Sequence, residues 1–134
     1  MREILFHGKR AGNGEWVEGD VLQTRYHSGH IEYQIMPQTP VSSAYPVLSE
    51  TVGQFTGLTD RNGKKIFEGD IVHCVSKLDS ADMVVIFECG QFRMVLAEKY
   101  HEYQTNIGYY DINCFAKEVI GNIFSNSELL EVNK

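Results

Sequence analysis

Residues 51–75, TVGQFTGLTDRNGKKIFEGDIVHCV, decide how this chain is read. Val52 to Leu58 is an extended segment with glycines at 53 and 57, and Asp60-Arg61-Asn62-Gly63 closes it with a turn. Asn-Gly pairs accept positive φ at both positions, which is what tight hairpin connections demand. Lys65 to Val75 then reads as a strand with Glu68-Gly69-Asp70 set inside it. A glycine within a strand marks a bulge or a bend.

The same unit occurs once before. Asn13-Gly14-Glu15-Trp16-Val17-Glu18-Gly19-Asp20-Val21-Leu22 matches Asn62-Gly63-Lys64-Lys65-Ile66-Phe67-Glu68-Gly69-Asp70-Ile71-Val72 after one insertion. Each copy is an Asn-Gly turn, two bulky apolar residues, Glu-Gly-Asp and two aliphatic residues. Physically this is a hairpin turn feeding a strand that bends at its glycine, as small SH3-like barrels do when a strand passes between sheets. The aspartate after the glycine accepts backbone hydrogen bonds and fixes the bend. Paired carboxylates also suit acid–base chemistry or a cation. The bend explains Glu18, Gly19, Asp20, Glu68, Gly69 and Asp70 without chemistry, so the structural reading is favoured. No catalytic residue, metal ligand or cofactor is assigned.

Outward from the repeat, Ile4 to His7 is a short strand leading into a turn-rich segment, Gly8 to Gly14. Trp16 to Tyr26 is a long strand interrupted at Glu18-Gly19-Asp20, with Trp16 as a core anchor. His27-Ser28-Gly29-His30 is a turn, and Ile31 to Met36 alternates apolar and polar as a half-buried strand does. Together these make a three-stranded meander. His27 and His30 have no acidic or cysteine partner at ligand spacing and read as solvated turn residues. Residues 37–50 hold all three prolines and form a surface crossover, with a helical turn near Leu48 to Thr51.

Downstream, Ser76 to Asp82 is a polar loop. Met83 to Phe87 and Phe92 to Leu96 flank Glu88-Cys89-Gly90-Gln91 as a hairpin, and the first strand is apolar enough to be buried on both faces. Tyr109 to Lys117 alternates as one further strand, with Tyr110, Ile112, Cys114 and Ala116 on one face. Glu118 to Phe124 is the last strand. Ser125-Asn126-Ser127-Glu128 fits a capping box for a short C-terminal helix from Ser127 to Val132. The chain is one compact unit over 1–134, with a possible subdivision into 1–78 and 79–134. The fold class is mainly β, an SH3-like barrel elaborated by further strands, with a short C-terminal helix.

Composition narrows the function classes. The 134 residues are 43% hydrophobic and 22% charged, a globular balance. No apolar run approaches the roughly 20 residues that span a bilayer, and the opening apolar run is too short for a signal peptide, so the expectation is a cytoplasmic protein without membrane attachment. Cys74, Cys89 and Cys114, odd in number and widely spaced, read as small buried hydrophobes in a reducing compartment. A net charge of −6 works against nucleic acid and anionic membrane as partners. The two repeat turns nonetheless carry Lys9 and Arg10 in one and Arg61, Lys64 and Lys65 in the other, a candidate pair of phosphate contacts.

The stretch from Thr51 to Val72 resembles the signature of the YopX family. So do Phe6-His7-Gly8-Lys9-Arg10 with Gly14 to Asp20, and Val119-Ile120-Gly121-Asn122-Ile123-Phe124 with Glu128-Leu129-Leu130. The resemblance covers both ends and the middle of the chain. It implies a small protein of bacterial phages or prophages, similar to SH3-like barrels and without an established activity, so it transfers no catalytic residues. Three functional expectations follow. The first is a non-enzymatic homo-oligomeric interaction module with phage or host protein partners in the bacterial cytoplasm. The second is a nucleic-acid-binding small barrel using the basic turns. The third, least favoured, is a cation-dependent enzyme using the duplicated Glu-Gly-Asp.

Overall fold

The computed structural model describes residues 3–38, 43–102, 110–113 and 116–131. Two compact units divide the chain, Met1–Gly57 and Leu58–Lys134. Among the described residues the elements are antiparallel strands and short 3-10 turns.

The first unit is built on β1 (Phe6–Lys9), β2 (Trp16–Arg25), β3 (Ile31–Met36), β4 (Tyr45–Pro46) and the start of β5 (Gly53–Thr59). Its strands lie in the order β4-β3-β2-β1-β5, so the meander forms as the alternation predicts. The Asn13-Gly14 turn is closed by Arg10 N–H donating to Glu15 O at 2.7 Å and Gly14 N–H to Arg10 O at 3.0 Å. Gly14 has φ +74° there, the left-handed conformation that glycine accepts. Pro46 sits in a two-residue edge strand, where its missing N–H costs the ladder little. The helical turn expected near Leu48 is the 3-10 segment Ser49–Thr51, and Thr51 is buried with Leu5, Ile35, Val47 and Phe55.

The second unit carries β6 (Lys65–Phe67) and a sheet of β7 (Asp70–Val75), β8 (Ser80–Glu88), β9 (Gln91–Leu96), β10 (Tyr110–Asp111) and β11 (Ala116–Asn122). The sheet order is β10-β9-β8-β7-β11. Met83, Val84, Val85 and Ile86 are all buried, as their continuous apolar run requires. Met83 and Val85 join Ile66, Val72, Cys74, Met94 and Ile112 on one side. Val84 and Ile86 join Ile71, Val95, Ala97 and Leu130 on the other. The β8–β9 connection is tighter than a four-residue turn. Glu88 pairs with Gln91, leaving Cys89 and Gly90 alone in the loop with φ +53° and +78°.

Four local expectations are corrected. The strand expected to be interrupted at Gly19 is continuous, and at that point it changes partner, from β1 up to Gly19 to β3 from Asp20 onward. Tyr109 to Lys117 is not one strand. Tyr110–Asp111 pairs with β9 and Ala116 begins the pairing with β7, at opposite edges of the sheet. The polar loop ends at Asp79, since β8 already starts at Ser80. Finally, the C-terminal helical segment is a single 3-10 turn, Ser127–Leu130, without a capping box. Its entry is held instead by Asn122 and Asn126. The Asn122 Oδ1 accepts from the Phe124 and Ser125 amides, and the Asn126 Oδ1 accepts from the Asn122 amide.

Candidate functional site

The two repeat copies hold their glycines for different reasons. At Gly19 a Cβ would stand 2.0 Å from the Met36 carbonyl oxygen, so the constraint is steric, and the strand is unbroken there. Glu18 and Asp20 on either side are exposed. At Gly69, φ is +92°, and β6 ends before the turn that leads into β7. Here the backbone is pinned from both sides. Gly69 N–H donates to Val85 O at 2.8 Å, and Ile123 N–H donates to Gly69 O at 3.0 Å. Asp70 is buried, and its Oδ2 accepts from the Phe67 amide at 2.8 Å across the turn, while Glu68 is half-buried.

The basic turns lie one in each unit. In the first, Lys9 donates its N–H to Thr51 Oγ1 at 2.9 Å, and the Lys9 stem passes close to Gly14. Arg10 stacks 4.0 Å from the centroid of the Tyr45 ring and stands 4.0 Å from the Glu15 carboxylate. In the second, Asp60 organises everything. Its Oδ1 accepts from the Asn62 amide at 2.8 Å and the Lys64 amide at 2.9 Å, and its Oδ2 accepts from the Val119 amide at 2.9 Å. Burial raises the Asp60 carboxyl, but three backbone donors and the Lys64 charge outweigh it and hold the group below the usual carboxylate range.

Arg61 follows the same direction. Its N–H donates to Lys117 O at 3.0 Å and its Nη2 meets Glu118 Oε2 at 2.8 Å. The Asn62 side-chain amide reaches the other Glu118 oxygen at 3.4 Å. Thus Asp60, Arg61 and Asn62 grip one side of β11, and Lys65 lies half-buried in β6. The cations of the turn stand beside carboxylates rather than alone.

Two features of the second unit were not picked out in the sequence. On adjacent strands His73 Nδ1 and Asp82 Oδ1 lie 2.8 Å apart, both half-exposed. The signal was present: reading Ser76 to Asp79 as a tight turn places His73 opposite Asp82 in register. Beside them opens a groove of about 610 Å³ whose lining includes Asp79, Asp82, Glu98 and Glu131 and, among the described residues, no lysine or arginine. Among the described residues, no group of three or more His, Cys, Asp or Glu side chains is arranged to hold a metal ion. Burial pushes the Cys74 thiol up to about 11, so it is a packing residue rather than a nucleophile. Phe87, at the tip of the β8–β9 hairpin, is 50% exposed, with its ring edge-on to Phe92 at 5.0 Å.

Two antiparallel sheets, without a long helix among the described residues, define a small mainly-β protein. The family described as YopX protein matches residues 5–131, and the chain belongs to it. A crystal structure of protein EF1440 from Enterococcus faecalis is similar at 22% identity and a TM-score of 0.59, covering 98% of this chain and 100% of that one. Protein yopX from Bacillus subtilis is similar at 18% identity and a TM-score of 0.55, with both chains covered in full. At these identities the likeness is one of fold. No curated protein matches the chain. No helix among the described residues is long and apolar enough to cross a membrane.

Proposed function

We propose that this chain is a non-enzymatic interaction module of phage or prophage biology that assembles with further copies of itself through the tip of the β8–β9 hairpin. The observation that carries the reading is Phe87. Its ring is half in solvent, on a hairpin whose two-residue loop holds it in place, and it extends the packed surface of Phe92 outward. Exposed aromatic rings on rigid supports are what interface anchors are made of, because burying them costs little conformational entropy. A bacterial cytoplasmic location and an SH3-like barrel character are part of the same reading.

Light scattering coupled to gel filtration tests it. The native chain should elute above the monomer mass, and Phe87→Ser should return it to the monomer with an unchanged far-ultraviolet spectrum. A native chain that stays monomeric throughout its soluble range refutes the proposal. The nucleic-acid reading gains no support from the turns, since Arg10 stands against Glu15 and Arg61 against Glu118.

A further inference from the structure

β11 is an edge strand of the second unit's sheet, paired on one side with β7. An edge strand presents backbone donors and acceptors that pair with any other extended chain, so native sheets cover or disrupt such edges. On the outer side of β11 the Val119 N–H points to Asp60 Oδ2, and the Lys117 carbonyl accepts from the Arg61 N–H. Both groups belong to alternate residues of one strand, the outward set. The turn thus reproduces, with one carboxylate and one amide, the two hydrogen bonds that a neighbouring strand would make.

From this geometry we infer that the Asp60 to Lys64 turn is a plug on a latent strand-pairing surface whose occupant is β11 of a second copy of this chain. The surface is self-complementary. About a two-fold axis through Glu118, the Val119 N–H of each copy meets the Lys117 carbonyl of the other in antiparallel register. The axis also brings the two Glu118 side chains face to face, and like charges directly opposite are unfavourable. Arg61 and Asn62 hold Glu118 in the plugged state, so the carboxylate favours the closed form twice. The register shift between Val119 and Gly121 limits the pairing surface to the first half of the strand.

The test opens the plug without rebuilding the strand. D60N leaves an oxygen for the turn amides but removes the second acceptor. R61P deletes the N–H that caps Lys117 and the guanidinium that holds Glu118, at the turn position where proline fits. Both are made in the F87S background, so that association through the hairpin does not contribute and the two proposals fail separately. The expected result is a concentration-dependent doubling of mass by light scattering, with the Val119 amide slow to exchange in the dimer and fast in the dilute monomer. Adding E118Q should strengthen the association. Adding V119P, which removes the outward donor at an edge position, should abolish it. Should the double variant unfold, D60N alone, which frees the Val119 N–H, carries the same readouts. A folded variant that keeps the parent mass at every concentration overturns the inference. So does an association that V119P leaves intact.

Discussion

The Asp60 carboxylate takes the amide of Val119 at 2.9 Å, across 59 positions of sequence, while its other oxygen closes its own turn. One side chain therefore ties the opening turn of the second unit to its last strand. Asp60→Ala leaves three backbone donors without their acceptor. Hydrogen bonds to charged groups are the stronger ones, so a loss of about 2–4 kcal/mol is expected in denaturant titration. The effect has a pH signature. The folded carboxyl titrates below its unfolded value, so its contribution is complete above the unfolded pKa of about 4 and disappears as pH falls through the folded one. Below that range the stability gap between Asp60→Ala and the native chain should narrow.

His7 supplies a second pH dependence, of different origin. The ring is buried on β1 with Trp16 at 4.7 Å, and burial lowers its pKa from 6.5 to about 4. Between those values the unfolded chain binds a proton that the folded chain refuses. Stability is therefore intact above pH 6.5 and falls as pH drops toward 4, by up to about 3 kcal/mol. In a series of melts across that window, His7→Gln should flatten the slope. An unchanged slope would show that another group is responsible.

The two repeat glycines should respond differently to alanine. Gly19→Ala drives a methyl into the Met36 carbonyl, where backbone must yield, and overpacking of this kind costs about 3 kcal/mol. Gly69→Ala meets the Phe124 ring at 3.4 Å and Ile123 Cγ1 at 3.9 Å, both ordinary contacts, but must hold φ at +92°. That conformation costs an L-residue about 1–2 kcal/mol. Equal losses in chemical denaturation would contradict this division of roles.

Cys89 occupies a left-handed position, φ +53°, in the two-residue β8–β9 loop. Asparagine adopts that conformation more readily and favours this turn type, so Cys89→Asn should raise stability by about 0.5–1 kcal/mol. Against the expectation of a buried residue, Cys89 is exposed in this loop, while Cys74 is buried as expected. Peptide mapping after a short pulse of a thiol reagent should find label on Cys89 and none on Cys74 until the protein is unfolded.

Much of the architecture is written in local pattern. The meander follows from the alternation of Ile31 to Met36, and the two-sided burial of β8 from an unbroken apolar run, because each depends on residues a few positions apart. What escaped reading depends on register or on distant partners. The role of Gly19 is set by Met36, which reaches it only once β2 and β3 align Asp20 with Met36. Tyr109 to Lys117 keeps its two-residue period although the chain turns at Ile112 and Asn113, so periodicity alone joins what the sheet separates. The carboxylate of Asp60 looks like an ordinary turn residue. Half of its role lies with Val119, and no local pattern announces it. The basic residues of that turn were legible as charge, but their engagement with Glu118 was not.

The position of β7 has a consequence for synthesis. Its two neighbours are made at different times: β8 follows within a few residues, whereas β11 is translated only after residues 89–115 have passed. At roughly 5–20 residues per second, β7 therefore waits on the order of seconds with one side open. During that interval the Asp60 turn exists without the strand it will hold, and a buried β7 depends on the ribosome delivering the last partner promptly. Slow codons between 89 and 115 would lengthen the exposure, and fast ones would shorten it.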